Sequence, residues 1–103
     1  MTTYISEKDF AQTVVETAEA LGWTVWRTWR SDHSPSGEPD LRMAHPVLRR
    51  VIWAELKSYK GRLTAAQQQS IETLMAAGAT VFIWRPTDWE EIESILSGTG
   101  FVQ

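Results

Sequence analysis

The sequence predicts an α/β fold, a mixed β-sheet flanked by helices with the element order α-β-β-β-α-β-α. Three observations predict it. Polar helix-start signals precede apolar residues at helical spacing in three places. Four segments rich in β-branched and aromatic residues lie among them. Glycines and one Ser/Pro-rich stretch punctuate the boundaries.

Taken in order, Ser6-Glu7-Lys8-Asp9 reads as a capping box opening a helix. Phe10, Ala11, Val14, Ala18 and Leu21 share one stripe of that helix, and Gly22 ends it. Trp23 to Trp29 alternates as a strand does, with Trp23 and Trp29 on one face and Trp26 on the other. Residues 31–39 form a loop by composition. Asp40 to Ala44 is a short strand, ended near Pro46. Val51 to Ser58 is expected as the central strand, because Val51-Ile52-Trp53-Ala54 is apolar on both faces. Thr64 and Gln67 form a second capping box, and a helix follows to Ala77 with Gly78 beyond it. Ala79 to Trp84 is the last strand. A third capping box at Thr87–Glu90 opens a short helix that ends near Gly98.

Composition fits a single domain over residues 1–103. Hydrophobic residues make up 43% of the chain and include six tryptophans, enough for one core. The chain has no cysteine, which excludes disulfides and cysteine-based zinc sites and fits a reducing cytoplasm. The first ten residues are polar with no apolar run behind them, so no secretory leader is expected. Nor does any apolar run approach the ~20 residues of a membrane span.

The net charge of −3 is unevenly spread. Residues 27–62 hold eight Lys/Arg against four acids, a local +4. A basic centre suits a phosphate backbone, although a solvated charged region reads the same way.

Within that segment, Pro39-Asp40 is followed, after fourteen intervening residues, by Glu55-Leu56-Lys57. Alternation puts Trp53, Glu55 and Lys57 on one face of the strand and Ile52, Ala54 and Leu56 on the other. Charges ending a buried strand are costly unless paired, and a divalent metal with a phosphate would pair them. Two carboxylates offer the oxygen ligands a hard cation takes. A nearby lysine can orient or deprotonate a water, or stabilise phosphorane charge. The plain alternatives are a Pro-Asp turn at Asp40, a strand-end glutamate at Glu55 and a solvent-facing Lys57. Glu7 falls on the stripe of the first helix, where an acid needs a partner. Its first-turn position is also favoured by the helix dipole alone. Gln67 lies on the stripe with Ile71, Leu74, Met75 and Gly78 and so faces the sheet, unlike Gln68 and Gln69.

Gly37-Glu38-Pro39-Asp40-Leu41, Ala54-Glu55-Leu56-Lys57, Gly61-Arg62-Leu63-Thr64 with Gln67, Gly78 and Trp84-Arg85-Pro86 together resemble the VRR-NUC group of the PD-(D/E)xK nuclease superfamily. The resemblance runs from Glu7 to about Leu96, and the stand-alone form is similar to phage and prophage members. It implies a restriction-endonuclease-like fold and a Mg²⁺- or Mn²⁺-dependent DNase, with a preference for branched or junction DNA in several members. It also implies metal ligands at Asp40, Glu55, Glu7 and the Leu56 carbonyl, with Lys57 and Gln67 beside them. A bacterial or phage-infected host cell follows as the expected setting. The alternative is a DNA-binding module that keeps the fold without the catalysis.

Arg30, Arg49, Arg50, Lys60 and Arg62 are candidate phosphate contacts or ordinary surface charge. His33 and His45 make no metal-ligand pattern, and a solvated loop is the simpler reading of the residues around His33. The tryptophans are expected mostly in the core, with stacking on a base as the alternative. A chain of this size has little surface for enclosing duplex DNA, so a homodimer is expected.

Overall fold

A computed structural model describes residues 5–28 and 37–100. Trp29, Arg30 and His33 lie outside the described residues. The elements are α1 (Glu7–Ala20), β1 (Thr24–Arg27), β2 (Leu41–His45), β3 (Arg50–Leu56), α2 (Ala65–Ala76), β4 (Thr80–Trp84) and α3 (Trp89–Ser97). A short 3₁₀ turn, Pro86–Asp88, leads into α3. This is the order the sequence predicts.

The four strands form one mixed sheet in the order β1-β2-β3-β4. β1, β2 and β3 are antiparallel neighbours, and β4 joins β3 in parallel. Antiparallel strands can be joined by short turns, whereas the parallel pair needs a crossover, which α2 supplies.

α1 and α3 cover one face. Phe10, Val14 and Ala18 from α1 and Ile92, Ile95 and Leu96 from α3 close over Leu41, Met43, Ile52, Ala54, Leu56 and Trp84. Trp23 joins this core, and its indole Nε1 donates to the Leu96 carbonyl at 2.8 Å. One of the orphan carbonyls at the end of α3 is thereby satisfied. α2 lies on the opposite face, where its Ile71 is buried and its Gln67 reaches β3.

α2 leaves part of its face open, and here the structure departs from expectation. Val51 is 59% exposed and Trp26 46% exposed. β3 is therefore covered on both sides only over its C-terminal half, Ala54 to Leu56. Leu21 and Met75, expected on buried stripes, are also exposed, and Val15 is buried instead. Leu21 is the C-cap of α1 and Met75 lies in the last turn of α2.

Capping follows the sequence at two of three sites. Ser6 Oγ accepts from Asp9 N–H at 3.0 Å. Thr64 Oγ1 accepts from Gln67 N–H at 3.1 Å while Gln67 Oε1 accepts from Thr64 N–H at 2.9 Å, a reciprocal capping box. The third differs. Asp88 turns back to accept from Arg85 N–H at 2.8 Å, because Pro86 opens a 3₁₀ turn before α3 begins.

At the far end of β2, His45 links two corners. Its Nδ1 accepts from Leu48 N–H at 3.1 Å, so its Nε2 carries the proton and donates to the Leu21 carbonyl at 2.9 Å. His45 is thus a structural residue, and its ring also meets Trp23 edge-on.

Candidate active site

The β2–β3 register pairs Leu41 with Ala54. Extending it by one residue brings Asp40 opposite Glu55. Asp40 is held there from several directions. Its Oδ2 accepts from Leu56 N–H at 2.8 Å. Its carbonyl accepts from Thr28 N–H at 2.8 Å, and the Thr28 hydroxyl donates to the Pro39 carbonyl. The preceding Gly37 has φ +85° and lies so close to α2 that a Cβ there would sit 2.2 Å from the Ala66 carbonyl oxygen. Only glycine accommodates both the positive φ and that approach. The loop carrying Asp40 is therefore pressed against the start of α2.

Glu55 is 1% exposed. Gln67 Nε2 donates to its Oε2 at 3.0 Å, and Gln67 Oε1 accepts from Lys57 Nζ at 3.3 Å. One amide therefore bridges the buried carboxylate and the lysine, and its orientation is set by an acceptor on one side and donors on the other. The capping box holds Gln67 in turn, so the helix-start signal and the contact with the site are parts of a single arrangement.

Lys57 follows β3 directly. Its N–H donates to the Trp84 carbonyl at 2.9 Å, continuing the parallel pairing. Arg85 Nη1 donates to the Ser58 carbonyl at 2.8 Å, and Ser58 Oγ accepts from Gly61 N–H at 2.9 Å. Sequence reasoning noted Arg85 without assigning it this anchoring of the segment after Lys57. Its only signal was its place immediately after the last strand.

Glu7 does not lie in the core as the stripe suggests. It is exposed, because the first turn of α1 extends beyond the buried residues that begin at Phe10. It does line a cleft of about 370 Å³ together with Lys8, Arg27, Thr28, Asp40 and Leu56. Asp40 is thus shared between the pair with Glu55 and the cleft with Glu7. Among the described residues, no three His, Asp or Glu side chains cluster as a metal site.

The oxygen donors nevertheless suit a hard cation. Mg²⁺ commonly takes one or two carboxylates and completes its shell with water and substrate phosphates. Asp40 and Glu55, brought opposite by the register, offer carboxylate oxygens of that kind.

The charged candidates divide by position. Lys60 and Arg62 are exposed in the segment between β3 and α2, beside the site. Arg49 and Arg50 flank the β2–β3 turn at the opposite end of the strands, where Arg49 takes φ 58°. Arg50 and Glu55 are five positions apart along β3, about 17 Å at strand rise. They are not part of the site.

A four-stranded mixed sheet flanked by helices is a restriction-endonuclease-like fold. Among solved structures, the chain is similar to Hjc, a Holliday junction resolvase from the archaeal hyperthermophile Archaeoglobus fulgidus, with a TM-score of 0.54 and 20% sequence identity. The match covers 75% of this chain and 66% of that one, just under two thirds of its length. At that identity the likeness is one of fold. No family model matches the sequence and no curated protein matches it. Among the described residues, no helix is long and apolar enough to cross a membrane.

Proposed function

We propose that this chain is a divalent-metal-dependent DNA endonuclease of the VRR-NUC type acting on branched DNA as a homodimer. The observation that carries the proposal is the Gln67 amide joining buried Glu55 to Lys57, with Asp40 opposite. Surface charges of no function do not need a carboxylate at 1% exposure bridged to a lysine. The fold shared with a Holliday junction resolvase supports the choice of branched DNA.

Asp40 and Glu55, with the Leu56 carbonyl, would hold Mg²⁺ or Mn²⁺. When bound, the ion would lower the pKa of a coordinated water and offset charge on the scissile phosphate. Lys57 faces the same space and donates to a phosphate oxygen or to the attacking water. Gln67 keeps Lys57 and Glu55 at a fixed separation. Glu7, Lys8 and Arg27 border the adjoining cleft with Asp40, from which Glu7 would complete the metal site. Lys60 and Arg62 extend the positive surface along the DNA backbone.

The test is cleavage of labelled four-way junction, flap, single-stranded and duplex DNA with Mg²⁺, Mn²⁺ or EDTA. Cutting of branched DNA that needs the metal and disappears in Lys57→Ala is expected. Salt-sensitive binding without any cutting would replace the proposal with a non-catalytic DNA-binding module. Light scattering with and without DNA tests the dimer, and a monomer mass in both would refute it.

A further inference from the structure

The open half of the α2 face carries one ordered row. Register places Trp26 opposite Arg42 and Arg42 opposite Trp53 across β1, β2 and β3. The Arg42 guanidinium carbon lies 4.9 Å from the Trp26 ring centroid and 5.7 Å from that of Trp53. Both distances are within cation–π range. Side chains of one parity share a face, so this row is on the same side of the sheet as Glu55, two residues further along β3. Two residues of strand amount to about 7 Å, or about two base-pair rises along the axis of B-DNA.

We propose that Trp26, Arg42 and Trp53 form a stacking site for an unpaired nucleobase of the strand held at Asp40 and Glu55. This rests on the DNA reading above and adds to it the kind of DNA contacted: a strand with at least one base out of its pair.

The chain buries Trp23 and Trp84 almost completely yet leaves Trp26 46% exposed, on a strand whose opposite face packs against the core. A planar cation held between two indoles presents π-faces with few rotamers left to freeze, and such surfaces bind bases whatever their identity. Charge favours nucleic acid over a second copy of the chain as the occupant. Self-association through a two-fold axis at this row would bring Arg42 against its own copy.

The experiment is fluorescence anisotropy in EDTA, so that no strand is cut. It compares a labelled single-stranded 12-mer with the same oligonucleotide carrying central abasic residues, which keep the phosphates and remove the bases. The wild-type protein is expected to bind the complete strand about tenfold more tightly, within the range of one stacked base. Trp26→Ala should remove that preference, Trp26→Phe should keep most of it, and Gln68→Ala, on the exposed side of α2, should leave it intact. Equal wild-type affinity for the two strands would overturn the stacking site while leaving the nuclease reading standing. Loss of affinity for both strands in Trp26→Ala, together with dissociation of a dimer in light scattering, would overturn it in favour of a self-interface. Failure of the wild-type protein to bind either strand would also overturn the stacking site, while the nuclease reading stands or falls by the metal-dependent cleavage of branched DNA.

Discussion

Replacing Gln67 with alanine removes three hydrogen bonds of unequal value. The bond to Glu55 at 3.0 Å is charge-assisted and reaches an almost inaccessible carboxylate, which puts it at ~1.5–3 kcal/mol. The contact from Lys57 at 3.3 Å is long, and the lysine is half-exposed, so it contributes little to folding. The bond from Thr64 N–H is half of a capping box, worth ~0.5 kcal/mol. Alanine's better helix propensity returns a few tenths of a kcal/mol. The expected loss is therefore ~2–3 kcal/mol, or roughly 10–20 °C in Tm for a domain of this size. Urea and thermal unfolding of Gln67→Ala measure it. Gln68→Ala is the control, since the exposed Gln68 side chain bonds Glu72 on its own helix at 3.2 Å and should shift stability by no more than ~0.5 kcal/mol. A double-mutant cycle with Glu55→Gln isolates the pair and should give a coupling above ~1 kcal/mol. A Tm within ~3 °C of wild type, or additive single effects, would refute the claim that Gln67 holds the buried carboxylate.

Three further outcomes are expected. Gly37→Ala forces a Cβ against the Ala66 carbonyl at an unfavourable φ and should cost ~2 kcal/mol or more while displacing Asp40; unfolding and metal-dependent cleavage, measured together, should both fall. Trp23→Phe strips the Leu96 carbonyl of its donor, whereas Trp84→Phe removes a buried indole N–H with no hydrogen-bond partner among the described residues. Paired unfolding curves should therefore show Trp23→Phe costing ~1 kcal/mol more. His45→Ala loses bonds to Leu21 and Leu48 and should lower stability by ~1–3 kcal/mol in urea unfolding, yet leave the proposed cleavage by the folded protein unchanged, because His45 is at the opposite end of β2 from Asp40.

Much of this arrangement was legible before any coordinates. Period-two alternation placed Glu55 and Lys57 together, and helical spacing turned Gln67 toward them; the structure joins the three by hydrogen bonds. The element order followed from capping signals and glycines. What periodicity cannot supply is the extent of the partner surface. Glu7, Leu21 and Met75 lie on the correct stripes, but each sits at an end of its helix, beyond the residues that are buried. Val51 and Trp26 failed for the same reason, since an apolar residue signals burial only where something covers it. The Asp88 turn was missed because Pro86 can open a 3₁₀ segment as readily as it can precede a helix. The approach of Gly37 to α2 had no local signal beyond the glycine itself.

The arrangement from Asp40 to Gln67 has a consequence for how the chemistry is encoded. Asp40, Glu55, Lys57 and Gln67 fall within one uninterrupted stretch of 28 residues, counted inclusively from 40 to 67. That stretch is a single hairpin followed by the first turn of a helix. Its parts are close in sequence, so little loop-closure entropy stands between the unfolded chain and their meeting. Glu7, by contrast, reaches the cleft only once α1 has docked from a distant part of the chain. The candidate catalytic unit is thus a nearly self-contained cassette, and the remaining elements serve as its mount. Substitutions in β4, in α3 and in the part of α1 beyond the cleft-lining residues can accumulate with effects on stability alone, whereas a shift of one residue in register between β2 and β3 would separate the carboxylates at once.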